Sequence, residues 1–206
     1  MAEETAAVKS RRRPRGLRER NKNAKLARIR RAARELFARK GFERTTTREI
    51  ARRAGVGAGT LFLYARDKRT LLLRLFKEDL EKATEEGFAS VPPRLTLGEA
   101  VLHVFASHFD HFGRTPELSR VFLKEVLFDE QVAPLALDDV RRIAGLVERA
   151  QERGEIRSDV APFIAATNLF SVYYFTVLTW LGGFLTDESA HSLLRDLVEL
   201  QLRALR

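Results

Sequence analysis

Gly57, Ala58, Gly59 and Thr60 stand where a short helix would begin, and Lys68 follows eight residues later. A helix start carries unpaired N–H groups and the positive end of the helix dipole, both suited to an anion such as phosphate. The residues around it, TTTREIARRAGVGAGTLFLYARDKRTL at 45–71, read as two short helices joined by a Gly-containing turn. A helix-turn-helix presents the end of its second helix to the DNA major groove. The chemistry expected of this stretch is therefore reading DNA sequence, not catalysis.

Each element that must position those residues has a local signal. Thr46 or Thr47 is a good N-cap, and Glu49 at the third position after Thr46 fits a capping box. Ile50, Ala51 and Ala54 make a small apolar face that allows close helix approach. Gly55 is placed to end the first helix in the left-handed conformation. Val56 is expected to be the buried residue of the turn, and Leu61 the inward residue of a second helix over 58–64.

Charge is divided unevenly along the chain. Residues 1–69 hold 22 Lys+Arg against 7 Asp+Glu, a net of +15, while the remaining residues carry a net of −6. A basic third on an acidic body is an electrostatic footprint of nucleic-acid binding, the alternative being a solvated basic surface. Ser-His-Asp sets, P-loops, dinucleotide fingerprints and HExxH motifs are missing, so the chain is not expected to be an enzyme. There is no cysteine, which removes disulfides and thiolate metal sites. No apolar leader-like run stands at the N-terminus, so a cytoplasmic location is expected.

Residues 1–21 are expected to be a basic disordered tail, because KSRRRPRGLRERNKNAK at 9–25 offers almost nothing to bury. The tail reads equally as an arm following phosphates or entering a minor groove, and as a disordered source of nonspecific affinity. The expected boundaries continue with a helix-turn-helix domain at 22–69 and a helical domain at 70–206. That second part reads as helices throughout: 68–86 closed by Gly87, 97–112 capped by Thr96, 117–129, a helix from Pro134 to about Gly154, a long one opened by Asp159 and Pro162, and a last one started by Asp187 or Ser189. Val160 to Thr186 is 27 residues without a charge. Such a stretch is long enough to cross a bilayer, but it contains Asn168 and several hydroxyls, is interrupted by Gly182-Gly183, and has acidic flanks. It is read as a buried bundle helix.

The residues Thr47, Arg48, Ile50, Ala51, Ala54, Gly55, Val56, Gly59, Thr60, Leu61, Tyr64, Lys68 and Leu71 resemble the TetR family of bacterial transcriptional regulators. Arg28 to Thr46 is similar to that family's first helix and the Gly-Phe that ends it. Three positions depart from the family pattern: Gly57 replaces a capping Ser, Phe62 a Tyr, and Ala65 a Phe. The resemblance implies an all-α fold, with an N-terminal three-helix DNA-binding domain and a C-terminal helical domain for ligand binding and dimerisation. It also implies that Arg48, Ala58, Gly59 and Thr60 face base edges, while Thr47, Thr60, Tyr64 and Lys68 hold phosphates, with Phe62 packing at the same surface. Arg48 suits guanine O6 and N7, the alternative being a phosphate contact or a solvated arginine.

By the same resemblance, a homodimer reads a palindromic operator, and a small molecule among the C-terminal helices releases it. The last two helices would pair with their twofold mates through Tyr173, Val177, Leu194, Leu197 and Val198. The aromatic richness of this region points to a largely apolar effector held among His103, His108, Phe109, Phe112, Phe122, Asn168, Tyr173 and Tyr174, unless these side chains are simply core. His108 and His111 share a helix face at i, i+3, a spacing that could suit a metal, but they lack a further ligand. No cofactor is expected and no metal is assigned. An activator of the same family and a ligand-free architectural DNA-binding protein are the alternative functions.

Overall fold

Thr46 sits in extended backbone and accepts a hydrogen bond from the Glu49 N–H at 3.2 Å, while the Glu49 carboxylate accepts from the Thr46 N–H at 3.0 Å. This reciprocal cap fixes the start of the second of nine helices found among the described residues, 15–126 and 133–206 of a computed structural model. In chain order they are α1 (Arg15–Lys40), α2 (Thr47–Ala54), α3 (Ala58–Phe62), α4 (Lys68–Ala89), α5 (Leu97–Gly113), α6 (Pro116–Val126), α7 (Ala133–Glu152), α8 (Pro162–Leu181) and α9 (Asp187–Leu205). There is no strand among the described residues. The all-helical expectation holds.

The ends of the first helices follow the sequence signals. Gly55 takes φ 63 and sends its N–H back to the end of α2, a conformation that glycine adopts without a Cβ penalty. Thr96 and Glu99 form the same reciprocal cap on α5. Elsewhere the chain departs from the expected ends. Gly87 does not close α4, which runs on to Ala89. Its missing side chain serves α5 instead: a Cβ there would stand 2.9 Å from the Ser107 hydroxyl. Helix α9 does start at Asp187, as expected, with Thr186 as its cap and Ser189 as the reciprocal partner. Helix α1 begins at Arg15, inside the segment expected to be tail, and α3 stops at Phe62, two residues early.

Ile29, Leu36 and Phe37 of α1, Ile50 and Ala54 of α2, and Leu61 of α3 bury completely or almost so. They join a buried cluster that continues without a break into α4 to α9. Val56 is only partly buried. Burying a side chain of this size contributes roughly 1.5–3 kcal/mol, enough to hold short helices that would not persist alone. Helix α4 is the shared wall. Its Leu71, Leu72, Leu75 and Phe76 face inward, and the pairs Arg30–Glu78 and Arg34–Asp79 tie it to α1. Helix α8 is long and apolar enough to cross a membrane by length and composition. It packs mainly between α7 and α9, leaving Phe163, Ile164, Phe175 and Leu178 exposed on its outer side.

Candidate nucleic-acid interface and ligand cavity

The helix-turn-helix brings its expected contact residues to one end of the molecule. Arg48, Ala58 and Gly59 are exposed, Thr47 and Thr60 half-buried, and Phe62 exposes about half its surface. Gly57 offers α3 no side-chain cap, and a Cβ on Gly57 or Gly59 would meet nothing within 4 Å. Behind this surface, the hydrogen bond from the Lys40 ammonium, followed by the Thr46 contacts, pulls the Glu49 carboxyl down to about 2. The α2 cap therefore stays ionised and intact at neutral pH.

Two of the expected phosphate contacts already have partners inside the chain. The Lys68 ammonium donates to the carbonyls of Phe42 and Glu43, both at 2.9 Å, and lies over the Phe42 ring. It thereby ties the start of α4 to the loop before α2. The Tyr64 hydroxyl donates to the Lys22 carbonyl at 3.1 Å. That bond holds the basic N-terminal half of α1 beside α3. Arg28, on the same helix, reaches the turn: its guanidinium is 3.7 Å from where a Cβ on Gly55 would stand. Arg20, Lys22, Lys25, Arg28 and Arg31 are exposed and make no ion pair among the described residues. Sequence reasoning placed Arg28 and Arg31 on the first helix but missed Arg20, Lys22 and Lys25 as part of the same helical surface. The signal was present: Leu26, Ile29, Ala33 and Leu36 continue the helical apolar spacing upstream.

Between α4, α5, α6, α7 and α8 lies a cavity of about 400 Å³, lined by His108, Phe112, Phe122, Tyr173 and Tyr174 together with Leu80, Asp139, Phe170 and Val177. Five of the eight expected ligand residues thus share one wall. The other three do not. Phe109 is core, stacked on Trp180 with ring centroids 4.9 Å apart. His103 bonds Ser90 at 2.8 Å, and Asn168 bonds Gln201 at 2.8 Å on the outer surface. The expected dimer residues are divided too: Tyr173, Val177, Leu194 and Val198 are buried within the protomer, and Leu197 is half-buried. The helices are as expected, but the face they leave outward carries Phe163, Ile164, Phe175, Leu178 and Leu200 instead.

The polar groups of the cavity are few. His108 spends both ring nitrogens inside the chain, Nε2 with the Thr84 hydroxyl at 2.8 Å and Nδ1 with the Tyr173 hydroxyl at 3.1 Å. It has none left for a metal, and His111 turns its ring edge-on to Phe76. Burial, then the nearby His111 and Arg142, lowers His108 to about 4, so the imidazole is neutral. Burial pushes the Asp139 carboxyl up to about 7 despite Arg142. Sequence reasoning missed Asp139 as well, although it stands one turn before the buried Ile143 and so on the apolar face. Since Asp139 binds its proton more tightly folded than unfolded, it costs stability progressively as pH rises from about 4 to about 7. Asp139→Asn is expected to melt higher than the parent at pH 8, with the gap closing toward pH 4. A gap independent of pH in thermal unfolding would show that the charge is not the cause.

A helix-turn-helix with an open, basic face, joined through one helix to an apolar cavity, defines a ligand-responsive DNA-binding regulator. The profile described as "Bacterial regulatory proteins, tetR family" matches residues 29–75. The Fatty acid metabolism regulator protein of Bacillus subtilis is 25% identical over 155 residues, covering 73% of this chain and 80% of that one. The HTH-type transcriptional regulator UidR of Escherichia coli is 25% identical over 173 residues, 82% of this chain and 84% of its own. The crystal structure of Thermus thermophilus FadR, a TetR-family transcriptional repressor in complex with lauroyl-CoA, aligns with a TM-score of 0.67 at 27% identity, covering 85% of this chain and 92% of that chain. Residues 29–75 therefore belong to the tetR family of bacterial regulatory proteins, and the relatives that align along most of the chain are transcriptional regulators. These relatives are regulators, not enzymes.

Proposed function

We propose that the chain is a cytoplasmic, homodimeric repressor that leaves a palindromic operator when a fatty-acyl effector enters the α4–α8 cavity. One observation carries this reading: α4 belongs to both sites. Its Leu80 lines the cavity, while Lys68 and Asp79 on the same helix hold the DNA-binding helices. A ligand that fits the cavity better in one position of α4 shifts the population toward that position, and the DNA-binding ends move with it. The cavity volume falls within the range of about 300–1,000 Å³ usual for small-molecule sites, and its wall is mostly apolar. The fatty-acyl class is favoured by the two relatives named for fatty-acid metabolism and for lauroyl-CoA.

Dimerisation places two α3 helices on successive turns of one DNA face, which a single five-residue helix needs in order to bind tightly. The exposed apolar side chains of α8 and α9 supply the surface for it. At the DNA, Arg48 reads a base edge, with Ala58, Gly59 and Thr60 beside it and Phe62 packed at the rim. Thr47, Tyr64 and Lys68 set the register, the last two partly through the α1 and Phe42 contacts they already make. The domains divide near residue 69, and the exposed cations of α1 follow the phosphate backbone.

Selection of binding sites from a random duplex library, followed by titration of the complex with lauroyl-CoA, tests the proposal. A recovered palindrome and release by micromolar lauroyl-CoA are expected. Salt-sensitive binding with no consensus would replace it with an architectural role, and reporter expression raised by the protein would make it an activator. A second reading of the effector has one observation behind it. Glu81, Glu85 and Asp138 line the groove adjoining Asp139, with Lys77 paired to Glu81 and Arg142 to Glu85, so that acidic groups outnumber basic ones on its wall, a setting that favours a cationic polar end. Dodecyltrimethylammonium, run beside lauroyl-CoA, decides between the two.

Replacing Arg48 with alanine is expected to cost about 1–3 kcal/mol of binding and to relax preference at one base pair of each half-site. Equal loss on every duplex would make Arg48 a phosphate contact.

A further inference from the structure

Hydrogen bonds run in a chain from the cavity wall to α4: Tyr173 hydroxyl to His108 Nδ1 at 3.1 Å, and His108 Nε2 to the Thr84 hydroxyl at 2.8 Å. All three side chains are buried. Tyr173 is held in place by Phe105, stacked on it at 4.3 Å, and by Phe109 and Phe170 around its ring. Thr84 lies one turn before Gly87, where a Cβ would stand 2.9 Å from the Ser107 hydroxyl of α5. The chain therefore ends on the helix that carries the DNA-binding helices, at its crossing with α5.

A neutral imidazole has one N–H donor and one acceptor nitrogen, so the chain has two proton arrangements. In the first, Tyr173 donates to Nδ1, and Nε2–H donates to Thr84. In the second, Nδ1–H donates to Tyr173, whose own proton is then free to be given into the cavity, and Thr84 donates to Nε2. Among the described residues the Tyr173 hydroxyl bonds His108 and makes no hydrogen bond on the cavity side, which favours the first arrangement, because an unpaired buried donor is costly. A ligand carrying a hydrogen-bond acceptor favours the second.

We propose that the Tyr173–His108–Thr84 chain is the signalling contact of the cavity. A ligand whose carbonyl oxygen accepts the Tyr173 proton changes Thr84 from acceptor to donor and so biases α4. A ligand of equal apolar bulk without that oxygen fills the cavity and signals weakly. The inference rests on the fatty-acyl reading above and adds which atom of the ligand acts and through which residues.

Lauroyl-CoA and S-dodecyl-CoA differ in the thioester carbonyl and so isolate it. Each is titrated against the full-length protein, alone and on its selected operator. The parent is expected to bind both and to be released from DNA about tenfold more effectively by lauroyl-CoA, within the usual range of coupling factors. Thr84→Val keeps the side-chain shape and is expected to remove that difference. Tyr173→Phe is expected to do the same, and thermal unfolding checks that both variants fold. Equal release by the two compounds in the parent, or an undiminished difference in both variants, overturns the signalling chain while leaving the acyl effector standing. Failure of the parent to bind either compound overturns the acyl reading and the chain with it.

Discussion

Alanine at Arg20, Lys22 and Lys25 together is expected to weaken operator binding about a hundredfold per protomer at 0.15 M salt, and to do so equally on every duplex. The three side chains are exposed, lie on the half of α1 that Tyr64 holds beside α3, and have no acidic partner among the described residues. Each cation that neutralises a phosphate releases condensed counterions. Removing one is expected to make the slope of log K against log salt shallower by about 0.9, and removing three by about 2.7. Extended from 1 M, where such charges count for little, to 0.15 M, that slope corresponds to roughly two decades in affinity. Alanine preserves the helix, so the effect is one of charge and not of α1. Fluorescence anisotropy of a labelled operator between 50 and 300 mM salt reads the slope. A slope equal to that of the parent would make these cations solvated surface.

The second large effect is on stability in acid. His108 is neutral in the folded protein, with its pKa lowered to about 4 from a usual 6.5. Between those values the unfolded chain takes up a proton that the folded chain refuses. Stability therefore falls as pH drops through 6.5, and the full loss is present near pH 4. At 1.36 kcal/mol per pH unit the loss approaches about 3 kcal/mol, a large part of a typical domain's margin. Asp139 runs the other way and gains on acidification, because its pKa is raised. His108→Gln cannot titrate. Chemical denaturation at pH 4 to 8 should give the variant a flatter profile than the parent over pH 4 to 6.5, whatever its absolute stability. Parallel profiles would mean that the folded protein accommodates a charged His108. Such a result would also weaken the proton logic of the Tyr173–His108–Thr84 chain, which needs a neutral ring.

Local code makes the helix-turn-helix legible in the sequence. Thr46, Glu49 and Gly55 act on backbone groups within three or four residues, so spacing alone states their roles. The apolar spacing in α4, α5 and α9 likewise marks which side of each helix avoids water, and with the charge-free run of α8 it identifies the helices even where an end is misplaced. Gly87 shows the limit. Glycine at a helix end and glycine under a neighbouring helix look alike in one dimension, and only the approach of Ser107 separates them.

What lies between helices had to come from the tertiary structure. Tyr173, Val177, Leu194 and Val198 stand on the expected helices but do not reach the surface expected of them, because a helix apolar all round does not state which side meets its own protomer. Lys68 and Tyr64 have donors suited to phosphate, yet the fold also supplies carbonyls from Phe42, Glu43 and Lys22, chain neighbours 25 to 42 residues away. The cavity wall joins Leu80 to Val177, and the Thr84–His108–Tyr173 contacts join residues up to 65 positions apart in sequence. Sequence by itself determined the helices, their caps and the DNA-reading motif, since these rest on interactions within a turn or two. Which aromatic lines the cavity and which histidine is neutral were decided by packing, because burial and hydrogen-bond partners are properties of the assembled core.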